Sequence, residues 1–456
     1  MGSSRKVVAE AHVYKRTLSP DLARGFMLLL IAVANVWVFQ WGQEPSSLGF
    51  MIKPVSVIDK VVVFLRTVLV DQRALPLFAF LFGYGMVQFS RSRYARGFEG
   101  IVIRRMLRRR HWGMLLFGFL HAALLFEGDI LGSYAIIALF WGWIFFRRTN
   151  KTLTIVFWVF IACGILTLLA NISAGLAILS EKVPAEYLAT DTTVRLVSTG
   201  TPGYLDSILQ RLQFWVTSAP VAAFMAFNVM SMVILGWKLA RQRFLEEPKL
   251  ERLKKGAWLG LGIGWIGGIP SALNQIGVLN LNIGFDASLH FFSMMTGVAG
   301  GYGYVCLIGL IASRIESSGK TMGWFITGVV GLGKRSLSGY LGQSVLFAVL
   351  LPAWTFGLGS KLGVATASLY AIAVWVVTVV IAYFIEKSGR RGPFEVLLRR
   401  LTYGSKVPVA GCGPVEPGVE VSGVKQVVPQ HMDPDPTIEA PEYVAGDNPF
   451  ATPKIV

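Results

Sequence analysis

Apolar residues run along this chain in blocks long enough to cross a lipid bilayer, and the polar residues are confined largely to the gaps between them. A crossing helix needs roughly 20 predominantly apolar residues at about 1.5 Å each. On that measure the chain predicts about ten spans, at 25–41, 74–90, 112–126, 130–146, 153–179, 215–237, 257–279, 289–312, 337–358 and 364–385. The third and fourth are short and separated only by Glu127, Gly128 and Asp129, which makes them a tight hairpin. Residues 55–70 mix Val and Leu with Asp59, Lys60 and Arg66 and suit an interfacial helix, while the short apolar stretch 322–333 suits a re-entrant or surface segment. The expected fold is all-α: a polytopic integral membrane helix bundle over residues 19–404, with a short segment 1–18 before it and a tail 405–456 behind it. Gly-rich runs at 83–85 and 260–264 lack the strand-turn-helix setting of a nucleotide loop and read as close helix packing.

Composition supports this class, with 54% hydrophobic and 15% charged residues. Cys163, Cys306 and Cys412 have no paired spacing, so neither a disulfide framework nor a metal site is expected. Of the net charge of +17, most falls in alternate connections: Arg91, Arg93, Arg96 and Arg104 to Arg110, then Arg147, Arg148 and Lys151, then Arg241 to Lys255. The positive-inside rule places those connections and both termini in the cytoplasm of a multi-pass plasma membrane protein. It also accounts for the basic residues without a nucleic-acid partner and makes membrane lipids their neighbours. Nine prolines and several acids after Gly404 give a tail that is disordered on composition.

Charged and polar residues inside or beside the spans are the candidates for function, because they are costly in lipid. Asp21 and Arg24 share a helical face at the first turn of the first span, with Ser19 placed to cap and Pro20 to occupy the first helical position. Asn35 lies eleven residues beyond Arg24, ~16 Å along the axis, and should face the protein interior. His121 sits in the outer half of the third span with Glu127 and Asp129 just beyond; His290 follows Asp286 by four residues. A carboxylate beside an imidazole raises its basicity and fixes its tautomer, as a general base requires. The plainer alternatives are a histidine bonded to a neighbouring helix, and an Asp129 that merely turns the chain and caps the next helix. Arg104, Arg105, Arg108, Arg109 and Arg110 offer planar donors to phosphates, or to anionic lipid headgroups. Lys334 and Arg335 enter the ninth span as Arg24 enters the first, and Tyr340, Gln343 and Ser344 follow on one face that could line a polar path.

Six ordered stretches carry a family resemblance: Asp21 to Phe26 with Asn35, Phe78 to Gly85, Arg109 to His121, Gly128 to Ala135 with Tyr134, Gly333 to Ser344, and Gly392 to Gly404. Together they resemble the YeiB-like bacterial integral membrane proteins, a family of largely unassigned function, with the C-terminal family-like part at about 220–404. That family is similar, more distantly, to transmembrane acyltransferases that use cytoplasmic acyl-CoA to modify glycans or lipids outside the cell. In those enzymes a His follows the first-span Arg at the spacing that Asn35 keeps from Arg24, and an amide cannot take the proton. If the chain is such an enzyme, the spacing from Arg24 to Asn35 and the carboxylate beside His121 place its reaction centre at His121 as base, Asp129 orienting it and Asn35 holding a carbonyl or acceptor. Asp21, Arg24, Arg104, Arg105, Arg108, Arg109, Tyr134, Arg335, Tyr340 and Gln343 would bind substrates. Acyl-CoA would be a co-substrate, with an envelope glycan or lipid as acceptor and no tightly bound cofactor. A transporter or non-catalytic membrane protein using the same polar positions is the other reading of the residues.

Overall fold

The computed structural model describes residues 17–44, 52–180, 198–279, 281–319 and 321–403. Residues 1–16 of the N-terminal segment, 181–197 of the expected outer connection and the whole tail 405–456 lie outside the described residues. The helices are α1 Leu18–Asn35, α2 Val57–Leu69, α3 Ala74–Tyr94, α4 Gly100–Leu124, α5 Leu131–Phe145, α6 Asn150–Leu179 and α7 Tyr204–Met225. They continue with α8 Phe227–Arg241, α9 Leu250–Gln275, α10 Ile283–Ser317, α11 Trp324–Lys334, α12 Ser336–Leu350, α13 Val364–Lys387 and α14 Pro393–Tyr403.

Five helical segments among the described residues are long and apolar enough to cross a membrane: Leu18–Phe39, Asn150–Leu179, Leu250–Gln275, Gly284–Ser317 and Val364–Lys387. The expected span 215–237 is not one straight helix, since α7 and α8 meet at Ala226 with a bend of 58°; counted as one, the pair makes a sixth. Two further apolar helices, α5 and α12, are shorter. Large apolar side chains face outward, with Trp143 and Trp258 each 83% exposed and Ile155, Trp158, Leu166 and Leu169 along α6. Such a surface is what lipid covers, and the fold is that of a multi-pass membrane protein.

Helix α2 is inside out relative to a water-facing amphipathic helix: Val57, Ile58, Val61 and Leu65 are exposed, whereas Asp59, Arg66 and Thr67 are buried against the protein. Ser56 caps it, and Asp59 also accepts the Ala365 amide at 2.8 Å, which joins α2 to the start of α13. Residues 324–334 form α11, whose Gly328 to Gly333 are buried between α1 and α13 and so do not form a surface segment. An added Cβ at Gly25 or Gly333 would overlap the backbone of the facing helix, so glycine is what allows α1 and α11 to touch. The start of α1 also differs from expectation. Ser19 makes no cap; Thr17 is the N-cap residue, and the Leu18 amide donates to Glu316 Oε1 at 2.9 Å.

A second close crossing joins α9 to α10. A Cβ at Gly260 would lie 2.7 Å from Gly303 Cα, and one at Gly264 would lie 2.5 Å from Gly300 Cα. Backbone cannot yield as a flexible side chain can, so Gly264→Ala should cost about 1–3 kcal/mol. Gly262, on the same helix, faces open space, and Gly262→Ala should be neutral or stabilising by up to about 1 kcal/mol through helix propensity alone. Thermal unfolding of the purified variants checks the contrast; equal effects at the two positions would contradict this packing.

Candidate active site

Three separate helices meet at the last turn of α4. The carbonyl of His121 accepts the Leu125 and Phe126 amides at 2.9 and 3.0 Å, which ends the helix and points the chain into the turn before α5. Asp129 closes that turn. Its Oδ1 accepts the Leu131 amide at 3.2 Å and its Oδ2 the Gly132 amide at 2.7 Å, taking up free N–H groups at the start of α5. His121 Nδ1 lies 2.8 Å from Asp129 Oδ1, and Trp215 of α7 donates its indole N–H to Oδ2 at 3.3 Å. The side chains of His121 and Asp129 are both 0% exposed.

The carboxylate therefore caps a helix and orients an imidazole at once. It accepts from four donors, and an acceptor-only group of that kind fixes the proton of His121 on Nδ1. Nε2 is left with a lone pair, and Ser344 Oγ of α12 lies 2.8 Å from it. With the Nδ1 proton engaged by Asp129, Nε2 is the acceptor and the Ser344 hydroxyl the donor at this 2.8 Å contact, which is shorter than the 3.4 Å from the same Oγ to the Tyr340 carbonyl. The Tyr340 ring, one turn earlier on α12, packs 4.9 Å from the His121 ring, with Phe126 at 5.9 Å. The Tyr340 hydroxyl is buried beside the Ile130 backbone amide, and its O–H has no acceptor among the described residues.

Two glycines make room for this arrangement. A Cβ on Gly118, one turn before His121, would lie 2.7 Å from both Asp129 Oδ2 and Gly132 Cα; a Cβ on Gly132 would meet the Trp215 ring at 2.5 Å. The position of α12 is set at its other end. Glu395 of α14 accepts the Leu337 and Ser338 amides at 2.9 and 3.0 Å. The two C-terminal stretches singled out in the sequence, Gly333 to Ser344 and Gly392 to Gly404, thus form one unit that holds Tyr340 and Ser344 in register.

The other expected site residues divide between this centre and structural duties. Asn35 ends α1, and no described hydrogen bond or ring contact joins it to His121; Phe39 beyond it stacks on Phe126 at 5.2 Å. Tyr134 donates to the Leu75 carbonyl at 3.0 Å and packs against Phe78 and Phe82, tying α5 to α3. Arg335 and Lys334 pair with Glu386 at 2.6 and 2.5 Å, and Gln343 donates to Thr378 at 3.4 Å, so all three are held against α13. His290 meets Gln72 at 3.3 Å in a separate buried cluster, where Arg73 binds the carbonyls of Thr67, Asp71 and Gly264 and the Ser293 hydroxyl, and Arg66 pairs with Asp71 at 3.1 Å.

At the Arg-rich end of α4, Arg104, Arg105, Arg108 and Arg109 are exposed, and Arg109 donates to the Leu401 carbonyl at 3.1 Å. Arg110 turns inward instead. It shares the Phe89 ring with Arg93, the two guanidinium carbons lying 5.9 and 4.8 Å from its centre, and it lies within the fields of Arg24 and Arg93, with Glu395 and Tyr403 acting in the opposite sense. Arg24 itself pairs with the buried Asp21 at 3.1 Å. Like charges gathered at one place favour a bound anion. Arg110 and His121 are eleven residues apart, close to three full turns, so both project from the same face of α4 with ~16 Å between them. That spacing was present in the sequence and is the signal that separates Arg110 from its four neighbours. Ser344 was legible only as one of three polar residues on a helix face, with nothing to join it to His121, and Trp215 gave no signal, since an indole within an apolar run reads as packing or as an interface anchor.

Residues 239–405 match a family described as proteins of unknown function (DUF418). The chain is 26% identical over 411 residues to the uncharacterized protein YxaH of Bacillus subtilis (strain 168), covering 86% of this chain and 95% of that protein. No solved structure matches. The family interval contains Tyr340, Ser344, Glu386 and Glu395, while His121 and Asp129 lie outside it.

Removing the carboxylate should be the most damaging single change here. Asp129→Ala strands four buried donors, each worth about 1–3 kcal/mol when left unpaired, whereas Ser344→Ala strands one ring nitrogen. The melting temperature should fall further for Asp129→Ala than for Ser344→Ala. Equal losses would mean that the carboxylate is not the organising group.

Proposed function

We propose that this protein is a membrane acyltransferase of the bacterial cell envelope, with His121 as general base and Asp129 as the group that orients it. The observation that carries the reading is the buried chain of hydrogen bonds from Asp129 through His121 to a hydroxyl, with the basic nitrogen of the imidazole directed at that hydroxyl. The distant likeness of the first span to acyl-CoA-dependent enzymes supports the substrate class. The acyl donor is a cytoplasmic acyl-CoA and the acceptor an extracytoplasmic glycan or lipid. In this reading about ten segments cross the plasma membrane and both termini are cytoplasmic.

The donor's phosphates bind among Arg24, Arg93 and Arg110, where positive charge converges at the inner end of α4. A pantetheine arm of roughly 15 Å then runs along the α4 face toward His121, matching the three-turn spacing. Exposed Arg104, Arg105, Arg108 and Arg109 contribute to the general field and to lipid contact. A transporter would use the same polar positions as a path and would not cleave a thioester.

Thiol release from acetyl-CoA by the purified full-length protein separates these readings. His121→Ala should lower turnover by about 10²- to 10⁴-fold. Arg110→Ala should weaken donor affinity roughly ten- to a hundredfold through loss of a charge-assisted contact, and Arg104→Ala should change it little. Absence of thiol release from the well-folded wild type, with all acceptor classes supplied, would leave the transporter reading in possession of the site.

A further inference from the structure

We infer that Ser344 is a nucleophile, so that the acyl group passes first to its Oγ and only afterwards to the acceptor. This rests on the acyl-transfer reading above and adds an intermediate to it. The geometry of His121 is the reason. Nδ1 is committed to Asp129 at 2.8 Å, and Nε2, the nitrogen left to take a proton, is already filled by Ser344 Oγ at 2.8 Å. A base acts on the hydroxyl to which it is bonded. Direct transfer from donor to acceptor would need Ser344 to leave Nε2 and an acceptor hydroxyl to replace it. Attack by Ser344 needs no exchange of partners.

The order carboxylate, imidazole, hydroxyl, with each link within hydrogen-bond reach, is the arrangement that activates a serine on many unrelated folds. Here its members come from α4, the turn before α5, and α12, in an order along the chain that no short motif encodes. A tetrahedral intermediate also needs a donor for its oxyanion. Tyr340 stands one turn before Ser344, its ring 4.9 Å from that of His121, and its buried O–H has no acceptor among the described residues, the Ile130 amide lying on the oxygen's accepting side. It supplies the spare O–H that the intermediate requires.

In the first step Ser344 Oγ attacks the thioester carbonyl while His121 Nε2 takes the hydroxyl proton. The carbon–sulfur bond then breaks, the departing thiolate receives that proton, and an O-acyl serine and free coenzyme A remain. In the second step the acceptor hydroxyl gives its proton to Nε2 and attacks the serine ester. Ser344 Oγ leaves and recovers the proton, and nothing is oxidised or reduced. Donor and acceptor thus use one centre in turn, which suits substrates arriving from opposite sides of a membrane.

The test uses the full chain in detergent with acetyl-CoA and no acceptor, followed by peptide mass spectrometry, and a parallel reaction with a small alkyl fluorophosphonate. The expected result is an acetyl group on Ser344 and phosphonylation of the same residue, both lost in Ser344→Ala and His121→Gln. Ser344→Ala should lower acyl transfer about a thousandfold. Ser344→Cys should trap the acyl group as a thioester, and Tyr340→Phe should slow acylation about a hundredfold while leaving the fold intact. Acetyl-CoA turnover at the wild-type rate in Ser344→Ala, or transfer to acceptor without any acylated protein, would overturn the inference and leave His121 as base for direct transfer. If no variant or wild type turns over acetyl-CoA, the donor assignment fails, and the fluorophosphonate result decides Ser344 alone: labelling that depends on His121 supports the nucleophile, and an unlabelled folded protein refutes it.

Discussion

A carboxylate with no exposed side-chain surface has to be surrounded by donors, and one end of the bundle is arranged around that need at Asp129. The amides of Leu131 and Gly132, the Trp215 indole and the His121 imidazole all converge on its two oxygens. Each donor comes with its own constraint. The amides fix where α5 begins, the indole fixes α7 against the α4–α5 hairpin, and the imidazole fixes the face that α4 presents to α12. Remove the carboxylate and each of these elements loses its reason to stand where it does. The two readings open from the sequence, a helix cap and an orienting partner for histidine, are therefore one device: the cap holds the oxygens still, and a still carboxylate fixes the tautomer of His121.

The remaining helices approach closely enough for this centre to form because glycine lines their contacts. Gly118 and Gly132 do so within the site, and Gly260 and Gly264 bring α9 onto α10. In lipid, apolar side chains gain little by leaving one apolar neighbour for another, so close backbone contact and interhelical hydrogen bonds supply the association. The buried Arg73, with its carbonyl partners on α9 and near α2, is the hydrogen-bonded counterpart of the glycine contacts.

What could be read in the sequence follows the same physics. His121 and Asp129 were legible because ionisable groups beside apolar runs need a reason to be there. The close packing of 260–264 was legible because glycine offers a helix little except proximity. The broken helix at Ala226 was not, since neither residue type nor hydropathy marks a 58° change of direction. Asn35 was given a role on its spacing from Arg24, and what the fold adds is that α1 ends at that residue. Arg335 and Gln343 looked like substrate ligands because the partners that claim them, Glu386 and Thr378, are far away along the chain and close only in the fold.

Whether His121 can act on Ser344 depends on which of its ring nitrogens carries the proton. The ¹⁵N spectrum of histidine-labelled protein, with the His121 signals assigned by difference against His121→Gln, reads this directly. The arrangement around Asp129, with a Ser344 hydroxyl that donates, predicts a proton on Nδ1 and a hydrogen-bonded Nε2 that carries none. A ring protonated at Nε2, with Nδ1 bare, would contradict it, because such a histidine could neither be oriented by Asp129 nor take a proton from Ser344.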